Sequence, residues 1–145
     1  GTGKSYAAGC IANALIDKEV QVKMTSIPRL VSEMTKDFGA ERENVLKMIA
    51  TTPLLILDDV GTERNTEYSN EQVYEIINER YKAKKPLIVT TNLPMETLRT
   101  VEDMTKKRIY ERIVEMCPPC KVVSSGRRQK TARSKYEQMR EKFGL

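Results

Sequence analysis

The chain opens on Gly1-Thr2-Gly3-Lys4-Ser5, directly ahead of a helical pattern. This is the second half of the phosphate-binding loop G-x-x-x-x-G-K-[ST], in which backbone N–H groups and a helix N-terminus cradle phosphate oxygens. Glycine lets the backbone close in on the ligand, Lys4 reaches the β- and γ-phosphates, and the Ser5 hydroxyl is a ligand for Mg²⁺. Gly1, Thr2, Gly3, Lys4, Ser5 and the adjoining Tyr6 are the expected nucleotide-binding set. A second constellation is Leu54-Leu55-Ile56-Leu57-Asp58-Asp59. It reads as a buried strand that delivers two carboxylates at its C-terminal end, where open α/β sheets bind ligands. Asp58 suits the Mg²⁺ shell, and Asp59 can orient or deprotonate an attacking water, a role that more often falls to Glu. A third, Thr90-Thr91-Asn92, ends another apolar run, and its amide can hydrogen-bond that water or the γ-phosphate. The chemistry expected of these residues is hydrolysis of ATP with Mg²⁺, ATP and Mg²⁺ being the implied cofactors.

Histidine is absent from the 145 residues. Ser-His-Asp and Cys-His nucleophilic systems, histidine bases and imidazole-dependent zinc sites are thereby excluded. Phosphoryl transfer to water needs none of them.

The elements that must position these groups alternate between apolar runs and helical patterns, the mark of an α/β domain with a mostly parallel sheet. Helical spacing predicts a helix over 6–18 with Ala7, Cys10, Ile11, Ala14 and Leu15 on its buried face. A short strand over 20–24 follows, then a helix over 28–37 that tolerates Pro28 in its first turn, and another over 40–50. After the strand at 54–57 comes a polar loop over 61–70. Ser69 or Asn70 can cap the next helix, which runs to Ala83 with Val73, Ile76, Ile77 and Arg80 at helical spacing. A strand over 87–91, a short helix opened by Pro94, a helix over 105–116, a last strand over 121–123 and a helix over 129–142 complete the pattern. No repeat, low-complexity tract or linker interrupts it, so 1–145 reads as one domain.

Taken in order, the phosphate loop, the acidic strand end and the polar strand end have the arrangement of AAA+ ATPases. The stretches 54–63, 77–81, 86–93 and 107–113 together closely resemble the DnaC/DnaI-type loaders of the bacterial replicative helicase, especially the smaller ones of phages, prophages and Gram-positive bacteria. The resemblance covers nearly the whole chain. Its Asp-Asp-Val-Gly element is fairly specific, because related IstB transposition ATPases usually carry Asp-Glu-Leu-Gly there. The resemblance implies a three-layer P-loop NTPase (AAA+) domain that begins inside the Walker A loop, lacking its first strand and the N-terminal helicase-binding region.

By the same resemblance Asn92 is the sensor 1 residue and Arg112 the arginine finger that completes a neighbouring subunit's site, with Arg108, one turn earlier, as the fallback. Sensor 2 falls on Arg127 by its Ser-Gly-Arg spacing, or on Arg128. The implied function is an ATP-hydrolysing loader that delivers the replicative DNA helicase onto single-stranded DNA during replication initiation. Its partners would be that helicase, single-stranded DNA and further copies of itself, joined through the ATP site. The alternatives are an IstB-like transposition helper and a nucleotide-gated binding module with negligible hydrolysis.

The formal net charge is +5. From Lys121 to Leu145 eight basic residues stand against two acidic ones, so the excess lies at the C-terminal end, a footprint for phosphates of nucleotide or nucleic acid. Arg64 is the lone basic residue of the 62–70 loop, which could face a DNA path. No long apolar run suggests a membrane span or signal peptide, and the chain reads as soluble and cytoplasmic. Cys117-Pro118-Pro119-Cys120 has C-x-x-C spacing, but the only other cysteine is Cys10 and no histidine can help, so an incidental loop is expected rather than a zinc or redox site.

Overall fold

A computed structural model describes residues 2–36, 39–61 and 66–123. The run at Leu54 becomes β2 (Leu54–Val60), the middle strand of a parallel three-stranded sheet ordered β1-β2-β3 with β1 (Val22–Thr25) and β3 (Leu87–Thr91) at its sides. Because all strands run the same way, Thr25, Asp58–Asp59 and Thr91 emerge at one end of the sheet. Strand residues alternate between faces. Leu54 and Ile56 pack with Ala8 and Ala12 of α1 (Lys4–Ile16) on one face. Leu55, Leu57 and Val60 join the larger core on the other face, built with α2 (Ile27–Met34), α3 (Ala40–Thr51), α4 (Glu67–Ala83), α5 (Met95–Thr100) and α6 (Met104–Met116). Helices thus cover both faces in three layers, as expected. A continuous apolar run is the composition such a doubly covered strand needs, and burying a side chain such as Leu57 contributes about 1.5–3 kcal/mol.

Three details differ from the expectations. Helix α1 turns Ala8 and Ala12 inward while Ala7, Cys10, Ile11 and Ala14 are exposed. Apolar residues surround this helix on every side, so periodicity could not select its buried face; contact with Leu54 and Ile56 does. Helix α4 begins a turn earlier than Ser69, at an N-cap Thr66 whose hydroxyl accepts from the Ser69 N–H at 3.1 Å, and Asn70 is buried instead of capping. Residues 121–123 form no strand, and Val123 is 78% exposed. Apolar residues alone do not make a strand when no neighbouring edge accepts their backbone hydrogen bonds. The expected helix over 129–142 lies outside the described residues.

Arg80 belongs to the apolar stripe of α4 and is fully buried. Its guanidinium donates to the carbonyls of Ile49 at 2.7 Å, Thr52 at 2.8 Å, Pro53 at 3.3 Å and Pro86. It therefore satisfies the end of α3 and the two residues that lead into β2 and β3, where proline has no N–H to offer. Burial pulls its pKa below the ordinary arginine value, and the four acceptors offset that penalty.

Candidate nucleotide site

The phosphate loop runs straight into α1. Gly3 has φ +89°, the left-handed region that glycine enters without steric cost, and a Cβ added there would meet open space. Gly3 caps α1 without a side-chain bond, and the first intrahelical bond is from the Ala7 N–H to the Gly3 carbonyl at 2.9 Å. The N–H groups of Lys4 and Ser5 precede it and take no helix carbonyl, which is the donor arrangement an anion needs. The Lys4 ammonium donates to the Thr2 hydroxyl at 3.2 Å and to Asn92 Oδ1 at 2.6 Å. The loop is thus tied to the end of β3, 88 positions away in sequence.

At the end of β2 the ladder slips. Leu57 pairs with Val89 and Val60 with Thr91, so Asp58 and Asp59 together face the single residue Thr90, a β-bulge. Asp59 sits at φ +59°, a left-handed conformation that Asp tolerates better than most residues. Thr90, almost fully buried, pins the bulge from both sides: its hydroxyl donates to Asp58 Oδ1 at 2.6 Å and accepts the Asp59 N–H at 2.8 Å. The bulge re-aims Asp59, whose Oδ1 accepts from the Asn92 amide at 2.8 Å. A chain Lys4–Asn92–Asp59 results, with Asp58 alongside. Gly61 closes the turn at φ +99°, where a Cβ would approach Leu93 Cδ1 to 2.5 Å, so the Asp-Asp-Val-Gly element needs glycine at that place.

The structure brings Thr2, Lys4, Asp58, Asp59 and Asn92 to one end of the sheet, with Ser5 and Tyr6 in the first turn of α1. The oxygen-only set of Ser5 and Asp58 suits a small hard cation such as Mg²⁺. Arg112 lies elsewhere, on α6, where its guanidinium carbon is 4.8 Å from the ring centre of Tyr74 and 5.4 Å from that of Tyr81. Arg108, one turn back, is exposed. Gly1, Arg64, Arg127 and Arg128 lie outside the described residues. Sequence reasoning had no part for Thr90 beyond a polar strand end; the available signal was its place two residues before Asn92, opposite two successive carboxylates.

The C-x-x-C element follows α6. Cys10, Cys117 and Cys120 are free thiols, and among the described residues no group of three or more His, Cys, Asp or Glu could hold a metal ion. The Cys117 thiol donates to the Leu87 carbonyl at 3.4 Å, and burial pushes its pKa up to about 11. A thiol so held is a poor nucleophile, in line with an incidental loop. No helix among the described residues is long and apolar enough to cross a membrane.

Residues 1–135 match the family described as IstB-like ATP binding protein. Among curated proteins the chain is similar to the replicative helicase loader DnaI of Bacillus subtilis (strain 168), at 27% identity over 88% of this chain and 45% of DnaI. It is similar to the replicative helicase loader DnaC of Escherichia coli (strain K12), at 28% identity over 78% of this chain and 46% of DnaC. The chain therefore spans about half the length of these relatives. A crystal structure of DnaI superposes with a TM-score of 0.70 at 27% identity, covering 88% of this chain and 68% of that one.

Proposed function

The chain belongs to the IstB-like ATP binding protein family, and from that premise we propose that it is the ATPase part of a replicative helicase loader. The observation that carries the reading is the convergence of the phosphate loop, the bulged Asp58–Asp59 end of β2 and Asn92 in one hydrogen-bonded chain. The similarity to DnaI and DnaC supports the loader's task rather than another ATPase task.

In this reading the Lys4 ammonium and the first N–H groups of α1 hold the phosphates of ATP. Mg²⁺, held by Ser5 and Asp58, would neutralise charge between the β- and γ-phosphates. Asp59 accepts a proton from water as that water attacks the γ-phosphorus, and the bond to the β-bridging oxygen breaks to leave ADP and phosphate. Asn92, already bonded to Asp59, aligns the carboxylate with that water. Arg112 completes the site of a second copy, and sensor 2 belongs to Arg127 or Arg128. The domain spans 1–145, acts in the cytoplasm, and binds single-stranded DNA and the replicative helicase in the loaded assembly.

The test joins two measurements: ATP turnover with and without Mg²⁺, single-stranded DNA and replicative helicase, and co-purification with that helicase in the presence of ATP. Nucleotide-dependent capture of the helicase is the expected result. Turnover without any helicase association would instead favour the transposition helper that the family description brings into view. Nucleotide binding without turnover would favour the gated binding module.

A further inference from the structure

Arg112 is fixed in an unusual way for a surface arginine. Its guanidinium lies over the rings of Tyr74 and Tyr81, yet among the described residues it forms no hydrogen bond and no ion pair. Cation–π attraction uses the delocalised charge and leaves the in-plane N–H donors unspent. The two tyrosines are seven positions apart on α4, hence two turns apart on one face of that helix. Each is itself held. Tyr74 packs against the main core, and the Tyr81 hydroxyl donates to Glu115 Oε1 at 2.9 Å, which raises the pKa of that phenol. Glu115 stands three residues after Arg112 on α6, so a side chain of Arg112's own helix holds one of the two α4 rings over which the guanidinium lies. Among the described residues Arg108 lies over no aromatic ring, and it is exposed. A long side chain in that state must be ordered anew each time it engages an anion, at the cost of its rotamer freedom.

We propose that Tyr74 and Tyr81 are positioning residues for Arg112: they hold its guanidinium on the surface of its own protomer with its donors directed to phosphate oxygens of a nucleotide bound by a second copy. The proposal rests on the reading of Arg112 as the cation supplied in trans. It assigns Arg112, not Arg108, to that task on the ground of preorganisation, since a charge already in place needs no reorganisation when the transition state forms.

The experiment compares ATP turnover by the unsubstituted chain, Arg112→Ala, Arg108→Ala, the pair Tyr74→Leu and Tyr81→Leu, and the pair Tyr74→Phe and Tyr81→Phe. The leucine pair is expected to lower kcat about tenfold with KM for ATP within about twofold, because the substituted chain keeps its own phosphate loop. The phenylalanine pair, which keeps the rings, restores most of the rate. Mixing supplies the readout that a merely structural role would not move. Lys4→Ala protein, deficient in phosphate binding but carrying Arg112 and both rings, rescues the leucine pair; Lys4→Ala combined with the leucine pair fails to rescue Arg112→Ala. Tyr74→Leu alone keeps the Tyr81–Glu115 bond and gives a smaller loss, about threefold, if the pair does not fold. Turnover by Tyr74→Leu and by the leucine pair equal to that of the unsubstituted chain, while Arg112→Ala is inactive, overturns the role of the tyrosines. Full turnover by Arg112→Ala overturns the reading beneath it, and loss confined to Arg108→Ala reassigns the trans cation.

Discussion

At the N-terminal ends of β2 and β3, Arg80 is fully buried and donates to four backbone carbonyls. At the C-terminal ends of the same strands, Lys4, Asn92 and Asp59 are joined in a partly exposed chain, and Asp58 and Asp59 stand in a bulge held by one hydroxyl. Both ends place charge where the strands begin or stop, on backbone carbonyls at the first and on side chains at the second. The difference is what each charge has left to give. Both terminal nitrogens of Arg80 are committed to this chain's own carbonyls, so that guanidinium can only stabilise. Lys4 and Asp59 are bonded to a side-chain amide that a phosphate or a water can replace, so their bonds are exchangeable. Arg112 stands with the second group, anchored by rings and with its donors kept in reserve.

The largest effect should come from the first end. Replacing Arg80 by Met leaves the carbonyls of Ile49, Thr52, Pro53 and Pro86 without their donor, and urea unfolding should show a loss of about 3–5 kcal/mol. Nucleotide affinity per folded molecule should stay unchanged; a selective loss of affinity at full stability would erase the distinction between the two ends. The opposite pattern is expected for Asp59→Asn. Turnover should fall about a hundredfold or more, with stability within about 0.5 kcal/mol of the unsubstituted chain, because asparagine tolerates the left-handed backbone and the site is half exposed.

Thr90 sits between these extremes, since it is buried like Arg80 and serves Asp58 and Asp59 directly. Thr90→Val preserves shape but removes both hydrogen bonds. It should cost about 1–3 kcal/mol and lower turnover about tenfold, with Thr90→Ser recovering most of both. Loss of stability with normal turnover would place Thr90 with Arg80.

The smallest effect concerns Cys117. With its pKa raised to about 11 from 9.0, the thiol stays protonated in the folded chain at pH values where the unfolded chain ionises. Its contribution to stability is therefore complete below pH 9.0 and is lost as pH climbs toward about 11. Alkylation at pH 8 followed by mass spectrometry should modify the exposed Cys10 and Cys120 well before Cys117.

Much of this molecule is legible in its sequence. The run 54–57 announces a strand covered on both faces because only such a strand can be apolar at every position. Gly3-Lys4-Ser5 announces a helix N-terminus built for phosphate. The face of α1 was not legible, since alanines and isoleucines on all sides give periodicity nothing to select. Nor was the absence of a strand over 121–123, which depends on whether a neighbouring edge accepts its hydrogen bonds.

The amino-acid sequence by itself determined which chemistry is available: an ammonium, two successive carboxylates, an amide and arginines, with no imidazole. It also determined that the carboxylates and the amide fall at strand ends, because apolar runs stop where they begin. Only the tertiary structure decided how each charge is used. Arg80 and Arg112 are the same residue type on amphipathic helices, and local pattern names the partner of neither. One meets four carbonyls gathered from α3 and two strand entrances, the other two aromatic rings of α4. An arginine's role follows from what faces its donors, and those neighbours come from segments remote in sequence.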